Sequence, residues 1–172
     1  MTADGGHLDH EAIMNSSQRQ FLDQATAEAV KANHPFPRMA ACEAALESTW
    51  GHSQLAREAC NLFGMKSHLH PNPIYGTMNL PTQEFLGGEW KPVEANWVKY
   101  PDWRACFCDR LATLERLSSV YPHYKAALNA TDARTYIREV SATWSTDPMR
   151  ALKVQEIYEE YIVPSPTPAP AQ

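Results

Sequence analysis

The stretch Met39–Lys66, MAACEAALESTWGHSQLAREACNLFGMK, decides the fold. Ala40, Ala41, Ala44, Ala45 and Leu46 are strong helix formers that lead into Glu47. Gly51 follows as a stop signal, and Ser53 is placed to cap a second short helix. Glu47 therefore sits where one helix breaks before another. A carboxylate in a last helical turn feels the negative end of the macrodipole, and Trp50 lies close enough in sequence to shield it from water. Both effects predict a carboxyl group that keeps its proton to higher pH than usual, as protonation of a leaving oxygen requires.

Outward from this stretch, the chain reads as mostly helical with one interruption. Asn15 or Ser16 caps a predicted helix through about Ala32, with Phe21, Leu22, Ala25, Ala29 and Val30 on one face. His34-Pro35-Phe36-Pro37 ends it, and Pro37 suits the first turn of the helix that carries Glu47. From Ile74 to Tyr100 the pattern changes to short alternating segments. Gly87-Gly88 marks a hairpin turn between Thr82–Leu86 and a return strand containing Trp90 and Val93, and Pro92 confines that strand to an edge. Asp102 caps a predicted helix to about Ser119, with Phe107, Leu111, Leu114 and Leu117 as its core stripe. Pro122 starts a short helix. Thr131 is the expected cap of another, striped by Tyr136, Ile137, Val140 and Trp144. Asp147, followed by Pro148, is the expected start of the last, which runs to about Ile162.

The domain boundaries expected from this reading are a flexible segment 1–14, one folded domain 15–162, and a Pro-rich tail or linker 163–172. At 172 residues the chain is long enough for one real core. A net charge of -5 argues against nucleic acid as a partner. No run approaches the roughly 20 apolar residues of a membrane span. The segment MTADGGHLDHEAIMN has neither the basic region nor the apolar core of a signal peptide, so export by another route, or a leader supplied from outside this chain, is expected. Cys42, Cys60, Cys106 and Cys108 have no zinc spacing and read as small buried hydrophobes, with a Cys42–Cys60 disulfide left open. His68 and His70 read as part of a polar loop rather than a metal pair. No metal and no cofactor are expected.

Leu46-Glu47-Ser48-Thr49-Trp50-Gly51, then Ser53-Gln54-Leu55-Ala56, then Asn61-Leu62-Phe63-Gly64-Met65-Lys66 resemble the bacterial glucosaminidases, family 73 of the glycoside hydrolases. Their pattern is close to L-E-S-G-W-G followed by N-L-F-G-I-K. Thr49 here replaces a glycine, and Met65 an isoleucine. Thr82-Gln83-Glu84 resembles the family's T-x-E, Trp97-Val98-Lys99-Tyr100 its aromatic-x-x-Tyr, and Trp144-Ser145-Thr146-Asp147-Pro148 its Tyr-Ala-Thr-Asp-Pro. The resemblance spans about Phe36 to Ile162.

This resemblance implies an α+β, lysozyme-like fold: a helical lobe, a small β-hairpin lobe and a cleft between them. It implies an endo-β-N-acetylglucosaminidase acting on peptidoglycan strands at the cell wall or in the periplasm. Glu47 is then the proton donor, and Glu84 the second carboxylate, with Glu89 and Glu94 as fallbacks should the strand register slip. The substrate's own acetamido oxygen is an alternative nucleophile. Trp144 stands where the family usually has a tyrosine and keeps an N–H donor without the hydroxyl. Tyr75, Trp90, Trp97 and Tyr100 are candidates for sugar packing. Asn61 and Phe63 read first as support and second as substrate contacts, and Asp147 joins the substrate-binding set through its motif. A muramidase, a lytic transglycosylase, or a non-catalytic wall-binding module remain the alternatives. The Pro-rich tail can tether a wall-binding or structural domain.

Overall fold

The computed structural model describes residues 14–67 and 74–163, without the side chains of residues 83–86. His68, His70, nearly all of the expected N-terminal segment and the Pro-rich tail lie outside the described residues.

Among the described residues, seven helices and four strands follow in chain order: α1 (Ser16–Lys31), α2 (Pro37–Glu47), α3 (Gln54–Ala59), β1 (Gly76–Asn79), β2 (Thr82–Leu86), β3 (Glu89–Val93), β4 (Asn96–Lys99), α4 (Trp103–Leu117), α5 (Pro122–Leu128), α6 (Ala133–Trp144) and α7 (Arg150–Ile162). The expected mostly helical chain with a small antiparallel β lobe is the one found.

Helix α2 is the hub. Every residue from Met39 to Ala45 is buried, so the helix has no solvent face over two turns. Its alanines allow the flanking helices to approach closely: α1 and α7 both pack on it, and α6 touches it as well. Pro37 opens the helix at a position where a missing N–H costs nothing. Helix α1 begins with a full capping box: Gln18 N donates to Asn15 Oδ1 (2.9 Å), and Asn15 N to Gln18 Oε1 (3.0 Å). Phe21, Leu22, Ala25 and Ala29 face the core as expected, but Val30 is exposed, because it lies one position off that stripe.

Helix α4 departs from its predicted stripe. Phe107 and Leu114 are buried, whereas Leu111 and Leu117 are only half-buried; Cys106, Arg110 and Thr113 take the remaining inward positions. The caps of the later helices shift by a residue or two. Asp132, not Thr131, caps α6 by accepting from Thr135 N (2.8 Å). Asp147 closes a turn before α7 by accepting from Met149 N (2.9 Å), and regular helix begins at Arg150 rather than at Pro148. Pro122 opens α5 as expected.

The β lobe is two nested antiparallel pairs. β2 and β3 form the hairpin expected around Gly87-Gly88, both of which have positive φ, with Glu84 opposite Lys91 and Gln83 opposite Pro92. β1 pairs with β4 outside it, Met78 opposite Trp97. Asn61 ties this lobe to the helices. Its side-chain amide donates to Met65 O and Val98 O and accepts from Met65 N, each at 2.9 Å. A buried amide with all three bonds made fixes the Asn61–Lys66 turn against β4.

Candidate active site

Glu47 is the last residue of α2. Beyond it the chain reverses through three successive left-handed residues, Thr49 (φ 52°), Trp50 (φ 56°) and Gly51 (φ 77°). Ser48 staples the reversal: its Oγ donates to Ala44 O (2.6 Å) and accepts from Gly51 N (2.8 Å). Trp50 N donates to Ala45 O (2.7 Å), satisfying a carbonyl at the helix end. Gly51 is required twice over: its φ is positive, and a Cβ there would stand 2.9 Å from Phe21 Cε2. Thr49 sits in the same region without that freedom, and a β-branched residue there is strained. Trp50 packs its ring edge-on against Phe21 (6.3 Å between centroids).

The group in contact with the Glu47 carboxylate is a cation. Arg150 Nε donates to Glu47 Oε1 (2.7 Å), Nη2 to Glu43 Oε1 (2.6 Å) and Nη1 to Ser141 Oγ (2.8 Å). Arg110 Nη2 donates to the same Glu43 Oε1 (2.7 Å). Its guanidinium lies 3.4 Å from the Trp144 ring centroid and 5.3 Å from that of Phe63. Four ionisable side chains thus connect in the order Arg110–Glu43–Arg150–Glu47, from the core to the surface. The first three side chains are at most 2% exposed, whereas Glu47 is 26% exposed.

Burial of this kind is tolerated only when each charge is matched. Desolvation alone would raise the Glu43 pKa, but Arg110 and Arg150 outweigh it and hold the carboxyl at about 2. For Arg150, desolvation pulls toward the neutral form, and the Glu43 and Glu47 carboxylates overcome it and raise the pKa. Among the described residues, Glu43 Oε2 and Arg110 Nε and Nη1 make no hydrogen bond. The aromatic faces of Trp144 and Phe63 are what meets the Arg110 guanidinium instead.

The other candidate residues divide between this cluster and the scaffold. Trp144, at the end of α6, joins the cluster through Arg110 and lies 6.5 Å from Tyr124, centroid to centroid. Phe63, 3% exposed, lies near the same Arg110 guanidinium. Asn61 and Tyr100 are equally enclosed; Tyr100 donates its hydroxyl to Asp109, and its pKa is pushed up, mainly by burial. The first reading of Asn61 and Phe63, as support, fits this burial, and the polar atoms of Asn61 and Tyr100 bond within the scaffold. Trp97 is enclosed too, its Nε1 donating to Leu80 O (2.8 Å). Tyr75 is half-buried against Tyr100 (5.0 Å between centroids), and Trp90 is exposed on β3. Asp147 pairs with Lys153 (2.7 Å). Glu84 lies on β2, and its side chain is outside the described residues.

Glu43, Arg110 and Arg150 are the site residues that the motif reading missed. A signal was present: Arg110 falls between Phe107 and Leu114 on one helical face, and Arg150 lies one turn before Val154. Charges of both signs inside apolar stripes imply a buried ion pair. The four cysteines are all free, so the open Cys42–Cys60 disulfide is absent; burial pushes the thiols of Cys42 and Cys106 up to about 12. A separate open groove of about 510 Å³, lined by Gln24, Glu28, Cys60, Asp102 and Trp103 among others, shares no residue with the cluster.

Comparisons with known proteins identify the family and the fold. A family model, Glucosaminidase, described as mannosyl-glycoprotein endo-beta-N-acetylglucosaminidase, matches residues 23–162. A probable N-acetylmuramidase of Lactococcus lactis subsp. cremoris is 30% identical over 159 residues, covering 88% of this chain and 35% of that protein. The exo-glucosaminidase LytG of Bacillus subtilis is 29% identical, covering 84% and 51%. The chain thus spans about a third to a half of the length of these relatives. In structure, the catalytic domain of the autolysin Auto from Listeria monocytogenes superposes with a TM-score of 0.72 at 24% identity, covering 86% of each chain, which establishes the shared fold.

Proposed function

The chain belongs to the glucosaminidase family, and on that premise we propose that it is a peptidoglycan hydrolase that cuts the GlcNAc-β-1,4-MurNAc bond with Glu47 as proton donor. One observation carries this reading. Glu47 is the surface end of an otherwise buried chain of ionisable side chains, held at a helix terminus and open enough to meet a ligand.

In the reaction, the O–H bond of the Glu47 carboxylic acid breaks as the glycosidic C–O bond breaks. The bond's electron pair stays with the leaving oxygen, which takes the proton. Positive charge gathers at the anomeric carbon, where water or the substrate's acetamido oxygen attacks. Glu84 is the proposed second carboxylate, activating the water or steadying that charge. The exposed Trp90 and half-buried Tyr75 are the proposed sugar-packing rings of the β lobe. Trp144 is proposed to shape the site floor through its stack on Arg110 rather than to supply a hydroxyl. Asp147 is kept as a contact at the rim, near Arg150 in sequence. Action at the cell wall or in the periplasm follows from the substrate, and the Pro-rich tail is proposed to tether a further domain.

A second reading, cleavage on the muramyl side, is favoured by the relative named N-acetylmuramidase. Digestion of purified wall with mass spectrometry of the new reducing ends separates them. N-acetylglucosamine ends support the glucosaminidase. N-acetylmuramic ends mean a muramidase, and anhydro-muramic ends a lytic transglycosylase. Wall binding with no sugar release across pH would instead mean a non-catalytic module.

A further inference from the structure

The donor's own partner carries an inference beyond the proposed cleavage. Arg150 uses three separate N–H groups on three separate acceptors, supplied by two helices: Glu43 and Glu47 from α2, and Ser141 from α6. A guanidinium is planar, so two of these bonds set the direction of the third. The Glu43 and Ser141 bonds are buried, and they aim Nε–H at Oε1 of Glu47.

We propose that Arg150 is a positioning residue: by occupying Oε1 it fixes the rotation of the Glu47 carboxyl and leaves Oε2 as the oxygen that carries the proton to the glycosidic bond. This rests on the reading of Glu47 as proton donor. The physical reason is exclusion. An oxygen that accepts a short bond from a cationic N–H does not also bear the acid proton at that position. The proton then resides on Oε2, whose place is set by the same bond. Glu43 acts one step further back, as the buried anchor whose Oε1 two arginines share, and Arg110, stacked on the Trp144 ring, is the second of them. Trp144 thereby influences the donor without touching substrate.

The test compares Arg150→Lys, Arg150→Met and Glu47→Gln with the wild-type chain, each checked for fold by circular dichroism, using purified peptidoglycan. A lysine keeps the charge but brings one ammonium where three directed N–H groups stood. The expected result for Arg150→Lys is a fall in kcat on the order of 10 to 10²-fold, the scale of a misplacement near 1 Å, with KM within about twofold. Arg150→Met, which removes all three directed N–H groups, should lower kcat at least as far, again with KM within about twofold. Among the described residues, Arg150 from α7 is the charged group in contact with Glu47, with Glu43 from α2 and Arg110 from α4 behind it.

If Glu47→Gln retains turnover, the donor reading itself fails. If Glu47→Gln is inactive but the folded Arg150→Lys protein keeps wild-type kcat and KM, the positioning role is overturned and Arg150 is structural only. Should Arg150→Met not fold, Arg150→Lys with Glu43→Gln decides: freeing the guanidinium from its anchor must lower kcat, and an unchanged kcat in both overturns the proposal.

Discussion

Replacing Glu43 by glutamine tests the buried cluster most sharply, because its cost is tied to pH. In the folded protein the Glu43 carboxyl is held at about 2, against an ordinary value of 4.5. At about 1.4 kcal/mol per pKa unit, that difference corresponds to about 3 kcal/mol of stability. The sign follows from the direction. A depressed folded pKa gives stability that is fully present above the unfolded value near 4.5 and is lost as pH falls toward 2. At pH 7, Glu43→Gln should therefore unfold at lower urea, by about 3 kcal/mol, out of a total of roughly 5–15 for a domain. Between pH 5 and pH 2.5 the wild type should lose stability faster, and the two curves should converge. The surface carboxylates whose pKa is also depressed, exposed Asp132 and half-buried Glu139 and Asp147, are common to both proteins and drop out of the comparison. The assay is urea unfolding followed by Trp fluorescence at half-unit pH steps. Curves that stay parallel through this range would refute the reasoning, since they would mean that Arg110 and Arg150 do not hold Glu43 ionised.

Three further outcomes follow from the geometry. Thr49→Gly should raise stability by about 0.5–1 kcal/mol, the left-handed strain relieved less the added chain entropy, and Gly51→Ala should lower it by about 2 kcal/mol through its φ and the Phe21 contact; thermal unfolding checks both. Asn61→Ala removes three buried hydrogen bonds and should cost about 3 kcal/mol, with hydrogen exchange at Met65 and Val98 accelerating first. Trp144→Ala uncovers Arg110 and should destabilise the protein by about 2–3 kcal/mol, whereas Trp144→Phe, which keeps a ring face over the guanidinium, should lose about 1 kcal/mol or less by urea unfolding.

Local chemistry made much of the fold legible. Asn15, Ser53 and Asp102 cap the helices they were expected to cap, Pro37 and Pro122 open theirs, and Gly87-Gly88 turns the hairpin. These signals act within four residues, so the sequence carries them openly. Partner choice at long range was harder. The β1–β4 pair joins segments about twenty residues apart, and no turn residue announces it. The site was legible where a motif stood, at Glu47, and illegible where function depends on packing. Tyr100 and Trp97 look like surface aromatics in a short β lobe, yet each spends its polar atom on the scaffold. Arg110 and Arg150 look like solvated helix residues until the face they share with Phe107, Leu114 and Val154 is followed. Proximity in sequence predicts apolar shielding of Glu47 by Trp50; the contact found at the carboxylate is an arginine that comes from 103 positions away.

The proposed cleavage depends on the Glu47 side chain delivering the proton. The most direct measurement takes the wild-type and Glu47→Gln proteins, matched in thermal stability, and records both turnover of purified peptidoglycan and binding to it. Loss of turnover by about 10² to 10⁴-fold with binding retained is the predicted result. Glu47→Gln protein that still releases sugar ends at the wild-type rate would contradict it.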